Sequence, residues 1–237
     1  KQLSNDLFLG LNSFVFWDDN PIEREKIRSR LTDVEVIEPD LDITGWPKQL
    51  LEFRGFSKFL VTKEDSAKTK QYKSREKFIE AKRFSRNEIN YLKNIKIKPT
   101  IIKIDKSTIN RTVQLCQKTN QFNLRTKMYN ASDIIKLNNK NTCFLVHLKD
   151  SYGDHGIISF ICLKIVNNKF LFIDTFLMSC RILGRYLESW ILNEIKKLAI
   201  KKKIDFILVE YIPTKRNQVA KNFVLKNNFK KISKEKV

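Results

Sequence analysis

Residues 143–178 hold three apolar, β-prone runs with hardly a break between them: 143–148, 156–166 and 169–178. The last two are parted by Asn167 and Asn168, residue types that tolerate the left-handed backbone of a tight hairpin. Connections this short leave no room for a crossover, so the three strands must pair antiparallel. The next segment, 184–199, puts Leu187, Trp190, Ile191, Ile195 and Leu198 on one helical face, and 205–211 reads as another strand. A helix between two strands of one sheet carries the chain across to a parallel neighbour. The chain must therefore build a mixed, mainly antiparallel sheet flanked by helices, an α+β domain.

Further elements extend it on both sides. Residues 101–104 read as a strand, 107–119 as a helix capped by Ser107, 132–137 and 217–225 as helices, and Phe229 as the opening of a last strand. Pro99 is taken as the start of this domain, 99–237. Before it, 65–96 is free of Gly and Pro and spaces Tyr72, Phe78, Phe84, Ile89 and Leu92 as on a helix, broken near Phe84 and Ser85. It reads as a helical connector, 58–98. Residues 1–57 differ in being net acidic and short-segmented: a strand at 13–17, the turn Asp18-Asp19-Asn20, a helix opened by Pro21, a strand at 34–37 and a helix at 46–53.

With 237 residues, 42% hydrophobic and 11% aromatic, the chain is too apolar for a disordered basic tail. No apolar stretch reaches the ~20 residues of a membrane helix, and KQLSNDLFLG lacks the order of a signal peptide. The expectation is a cytoplasmic protein with no membrane partner. A net charge of +20 favours anionic partners. No basic segment is interleaved with stacking aromatics, which argues against nucleic acid. Cys116, Cys143, Cys162 and Cys180 lie far apart with only His147 and His155 to help them, so neither a zinc site nor a disulfide framework is indicated. Three of the four cysteines read as small core residues, and His147 as a surface or satisfied core residue.

Chemistry concentrates in SCRILGRY, between the third strand and the amphipathic helix. Gly184, one of six glycines, is expected to let an anion approach the backbone at a helix start, with Arg181 and Arg185 pairing its oxygens. Solvated arginines at a plain turn are the alternative. Cys180 lies beside this cationic segment, where a thiol is expected to favour its thiolate, and is the nucleophile candidate. Its alternative is a packing cysteine.

Arg181-Ile-Leu-Gly184-Arg-Tyr186 resembles the acyl-CoA-binding motif R/Q-x-x-G-x-G/A of the GNAT acyltransferase superfamily, with Tyr186 replacing the final small residue. YIPTKRNQVAKNFVLKNNF is similar to that superfamily's closing segment, and the resemblance implies that Asn217 and Phe223 line a thioester arm. QLCQKTNQFNLRTKMY, KDSYGDHGIISF and MSCRILGRYLE resemble the C-terminal half of FkbH-like proteins, in which a HAD-type phosphatase is joined to a GNAT-like domain. FVFWDDNPIERE is similar to the last HAD motif, which implies Mg²⁺ held by Asp18 and Asp19. Two aspartates before Asn-Pro are also an ordinary helix cap. The motif D-x-D-x-T is absent, so the chain is expected to be the C-terminal portion of a longer protein, with 1–57 a HAD-like α/β remnant.

The resemblance implies transfer of a glyceryl-like group from a CoA or phosphopantetheine thioester, as a transient thioester on Cys180, to an acyl carrier protein. Asp154 and His155 in YGDHG stand where a base would reach the acyl group, or form a tight turn. Asn120, Gln121 and Asn123 are suited to hydrogen-bond its hydroxyls, or form a helix end and loop. Two other functions compete: an acetyl-CoA-dependent N-acetyltransferase on a small amine or sugar nucleotide, and a non-catalytic basic binding module.

Overall fold

The computed structural model describes residues 2–7, 9–57, 68–85 and 87–232. It divides into two units, Lys1–Ser66 and Ala67–Val237. The helical stretch after residue 67 thus belongs with the sheet that follows it; the first residues of the expected connector, 58–67, lie outside the described residues.

In the first unit, helix α1 (Gln2–Leu7) precedes strand β1 (Val15–Trp17), helix α2 (Pro21–Arg30), strand β2 (Glu35–Ile37) and helix α3 (Trp46–Glu52). β1 and β2 pair in parallel, with Phe16 opposite Val36. The cap of α2 is Asn20, whose Oδ1 accepts from Ile22 N at 2.9 Å with Pro21 at the first helical position.

The second unit opens with α4 (Lys68–Phe84) and α5 (Glu88–Asn94), the first ending at the expected break near Phe84. Then come β3 (Lys98–Ile102), α6 (Ile109–Lys118), β4 (Phe122–Asn123), α7 (Ala131–Lys140), β5 (Thr142–Asp150), β6 (Gly153–Val166), β7 (Phe170–Met178), α8 (Leu187–Lys201), β8 (Phe206–Val209) and α9 (Gln218–Lys226). The sheet runs β3-β5-β6-β7-β4, with β8 also on β7. The expected hairpin forms, Asn167 and Asn168 taking φ of 51° and 52°. The crossover through α8 brings β8 parallel to β7. Pro99 sits in an edge strand, the place in a sheet where proline is tolerated.

One core lies on the face covered by α8 and α9, with Leu187, Ile191, Ile195 and Phe223 packed on Val146, Ile161, Ile173 and Phe176. Leu115, Ile134, Leu145, Phe160 and Leu177 form the core on the face of α6 and α7.

Three expectations change. Ser107 does not cap α6: Asp105 Oδ1 accepts from Ser107 N and Thr108 N at 2.8 and 3.0 Å, because a carboxylate one turn ahead reaches both donors. Residues 229–232 form no strand. The helix after Gly184 starts only at Leu187, behind a 3-10 turn at Cys180–Ile182.

Two elements were not foreseen, helix α1 and, within the sheet, the short strand β4. β8 pairs with Phe170–Ile173 of β7, while β4 takes Leu177 and Met178 on the same edge. Leu124 N donates to Phe176 O, and Leu124 O accepts from Ile212 N at 2.8 Å. Residues 122–124 thereby fill the wedge that opens where β7 and the chain beyond β8 diverge.

Candidate functional site

The side chains around Cys180 come from four places in the second unit. The 3-10 turn after β7 carries Cys180 and Arg181, the end of α6 runs into Asn120 and Gln121, α4 contributes Tyr72, Arg75, Phe78 and Lys82, and the β5–β6 turn contributes Asp150 and Tyr152. The long helix reaches this turn because Tyr72, Arg75, Phe78 and Lys82 recur at three- and four-residue intervals, one helical face. Phe78 is its buried anchor, 2% exposed, and packs edge-on to Tyr152 at 6.1 Å between centroids.

Arg75 is buried and donates through Nη1 to the carbonyl of Cys180. Burial, followed by the nearby Arg185 charge, pushes its pKa down to about 10. The backbone N–H groups of Gln121 and Asn120 face the Cys180 sulfur and, with Arg75, favour its thiolate. Burial outweighs them, and the thiol is held above its ordinary value. This differs from the thiolate expected from sequence. The helix dipole is not at hand either, because α8 begins seven residues later.

Asp150 links the remaining groups. Its Oδ2 accepts from Arg185 Nε at 2.9 Å, and its Oδ1 accepts from Tyr152 N at 2.8 Å. His155 Nε2 lies 2.8 Å from Oδ1. The Asp150 carboxyl is held below its usual value by the His155 hydrogen bond and the Arg185 charge, even against burial, so it accepts and the imidazole nitrogen donates. The side chain of Arg185 is 0% exposed and stacks over the Phe78 ring at 4.0 Å. Its Nη2 is buried without a hydrogen-bond partner.

The structure therefore brings together Cys180, Arg181, Asn120 and Gln121; Arg185 Nη1 donates to the Arg181 carbonyl at 3.4 Å, and Asp150 joins Arg185 to His155. It does not bring the others in. Asp154 lies on the opposite side of its strand from His155, half-exposed, and accepts from His147 Nε2 at 2.9 Å and Lys149 Nζ at 3.3 Å. Asn123 is buried and turns its Oδ1 to Arg125 N and Thr126 N. Asn217, 0% exposed, donates to Asn123 O and Ile212 O and accepts from Tyr211 Oη and Thr214 N, which fills its bonding capacity. Phe223 packs between Phe122 and Phe176. Both side chains are buried, Phe223 at 4% exposure, and Asn217 is tied to residues 122–124 through Asn123 O.

The residues implied for a CoA diphosphate do not converge. Arg185 is enclosed on Asp150, and the Gly184 carbonyl accepts from Lys82 Nζ at 3.3 Å. For Mg²⁺ the fit fails. Asp18 Oδ1 accepts from Asn20 N, while the carbonyls of Asp18 and Asp19 both take Arg24 Nη1 at 2.9 Å. Among the described residues no group of three His, Cys, Asp or Glu side chains is placed to hold a metal. No described helix is long and apolar enough to cross a membrane.

Arg75 and Asp150 were missed from sequence. Arg75 had a signal, since it lies three residues from both Tyr72 and Phe78, which were read as one helix face. Asp150 had only its place in the string KDSYGDHGIISF, in which Asp154 and His155 were singled out instead.

No protein-family model and no curated protein sequence matches the chain. Among solved structures it is similar to Ard1 from Thermoplasma volcanium, at 15% identity and a TM-score of 0.47 over 57% of this chain and 84% of that one. It is also similar to Rv2747 from Mycobacterium tuberculosis in complex with CoA and NLQ, at 14% identity and a TM-score of 0.44 over 56% and 73%. The ribosomal-protein-S18-alanine N-acetyltransferase from Escherichia coli is similar at 11% identity and a TM-score of 0.44 over 57% and 80%.

Proposed function

We propose that residues 67–237 form an acyltransferase in which Cys180 takes a small hydroxyacyl group from a phosphopantetheine or CoA thioester and passes it to an acyl carrier protein. The observation that carries this reading is the setting of Cys180: a thiol faced by two backbone N–H groups and the Arg75 guanidinium at the end of a strand. The Cys180 sulfur bonds to the acyl carbon as the donor's C–S bond breaks, and the donor thiol leaves with a proton. Attack by the carrier's thiol on the acyl-enzyme reverses the exchange and frees Cys180. Arg75 and the two N–H groups offset the negative charge that develops on sulfur during both exchanges. Asn120 and Gln121 contribute through their backbone here, and the basic chain suits an acidic carrier. In a longer protein, the first unit would be the tail of a HAD-like phosphatase domain.

The test is intact-protein mass spectrometry after incubation with a glyceryl thioester of phosphopantetheine and, separately, with acetyl-CoA. The expected result is a gain of one acyl group that is absent in Cys180→Ala. Acetylation of an added amine at equal rates in both chains, with no adduct on either, overturns the covalent role and leaves direct N-acetyl transfer.

A further inference from the structure

Cys143 and Cys162 take no part in acyl transfer as proposed, yet the sheet sets them directly opposite one another. They are register partners in the antiparallel β5–β6 ladder, and their thiols are hydrogen-bonded to each other. Opposed residues in such a ladder have Cα atoms about 4.5–5.5 Å apart, inside the ~4.4–6.8 Å that a disulfide spans. The register thus sets the two side chains within the reach of a disulfide. Cys162 is 0% exposed, whereas Cys143, next to the start of β5, is partly accessible.

We propose that Cys143 and Cys162 form a redox site, a cross-strand dithiol that a small-molecule disulfide of the glutathione type converts into an intramolecular disulfide. Cys143 is the attacking thiol. The hydrogen bond from Cys162 favours its thiolate against burial and the Asp174 charge, and Cys143 is the more accessible of the two, while the same contact and burial push Cys162 up. The Cys143 thiolate attacks one sulfur of the small disulfide and expels its other half as a thiol, leaving a mixed disulfide. Cys162 then loses its proton and attacks the Cys143 sulfur, expelling the second thiol. Two protein thiols lose two electrons and two protons, and one small disulfide becomes two thiols.

The experiment uses the full chain with Cys180→Ala, so that the proposed nucleophile adds no signal. It is incubated folded with oxidised glutathione, alkylated, and weighed intact and after digestion without reductant. The expected result is a loss of two hydrogens, two thiols protected from alkylation, and a peptide joining Cys143 to Cys162. In Cys162→Ser the mixed disulfide is expected to persist on Cys143, since nothing resolves it. A persistent glutathionyl group on Cys143 with Cys162 present, or alkylation of both Cys143 and Cys162 after the treatment, overturns the proposal; Cys116 stays alkylatable in either case. These readings do not depend on acyl transfer, because neither cysteine belongs to the Cys180 cluster.

Discussion

At Cys180, burial and charge oppose each other. Burial raises the thiol, while Arg75 and two backbone N–H groups pull it down without winning. Below the thiol's pKa the thiolate fraction grows about tenfold per pH unit, so acylation of Cys180 is expected to quicken steadily from pH 6 to about pH 8 in stopped-time mass spectrometry. Arg75→Gln removes a group that lowers this pKa, so the curve is expected to move to higher pH, and Arg75→Lys to restore much of it. A loss that is uniform at every pH would instead mark Arg75 as purely structural. Asp150 is a second residue where sign matters. Asp150→Asn leaves Arg185 buried without its counter-charge, and is expected to cost about 3–5 kcal/mol in urea unfolding. Asp174 behaves differently because solvent-facing lysines share it. Lys164 Nζ at 2.9 Å and Arg125 Nη1 at 2.6 Å hold it, and its pKa falls from 3.8 to about 2. Its folded pKa is depressed, so its contribution is present above pH 3.8 and is lost as pH falls toward 2. Acid unfolding followed by circular dichroism is expected to show that loss, and Asp174→Asn to be less stable than the parent above pH 3.8, with the difference shrinking as pH falls toward 2.

At the scale of elements, the loop between β7 and α8 departs most from expectation. Gly184 was read as the place where an anion meets a helix start, and its φ of +88° does require glycine. The side it turns to Lys82 and Phe78 belongs to α4, with Lys82 Nζ 3.5 Å from where a Cβ would stand. That spacing is an ordinary contact, so Gly184→Ala is expected to cost about 1–2 kcal/mol through the backbone alone. Thermal unfolding of Gly184→Ala with and without Lys82→Ala checks it: relief by the second substitution would point to a clash. The hairpin and the crossover helix were legible because apolar period and turn residues are local signals. The buried face of α4 was half legible. Tyr72 and Phe78 showed the face, but an arginine and a lysine on the same stripe look solvated until a partner element covers them.

For the molecule as a whole, the two units differ in what they bury. Among the described residues of the first unit, Ile37 is the buried hydrophobic side chain, whereas the second has a core on each face of its sheet. Residues 67–237 expressed alone are therefore expected to melt cooperatively, and 1–66 alone to show no cooperative transition; calorimetry of the two fragments tests this. The sequence by itself determined the three central strands of the sheet domain, its hairpin, its crossover helix, and the loop on which Cys180 lies, but neither β4 nor the absence of a strand at Phe229. These rest on hydrophobic period and turn chemistry, which act between near neighbours. Only the tertiary structure decided that Arg185 is enclosed on Asp150, that Asn217 fastens residues 122–124 into the wedge beside β7, that α4 supplies Arg75, and that Cys143 faces Cys162. Each depends on register or burial between segments distant in the chain, and that information is set by packing rather than by local pattern.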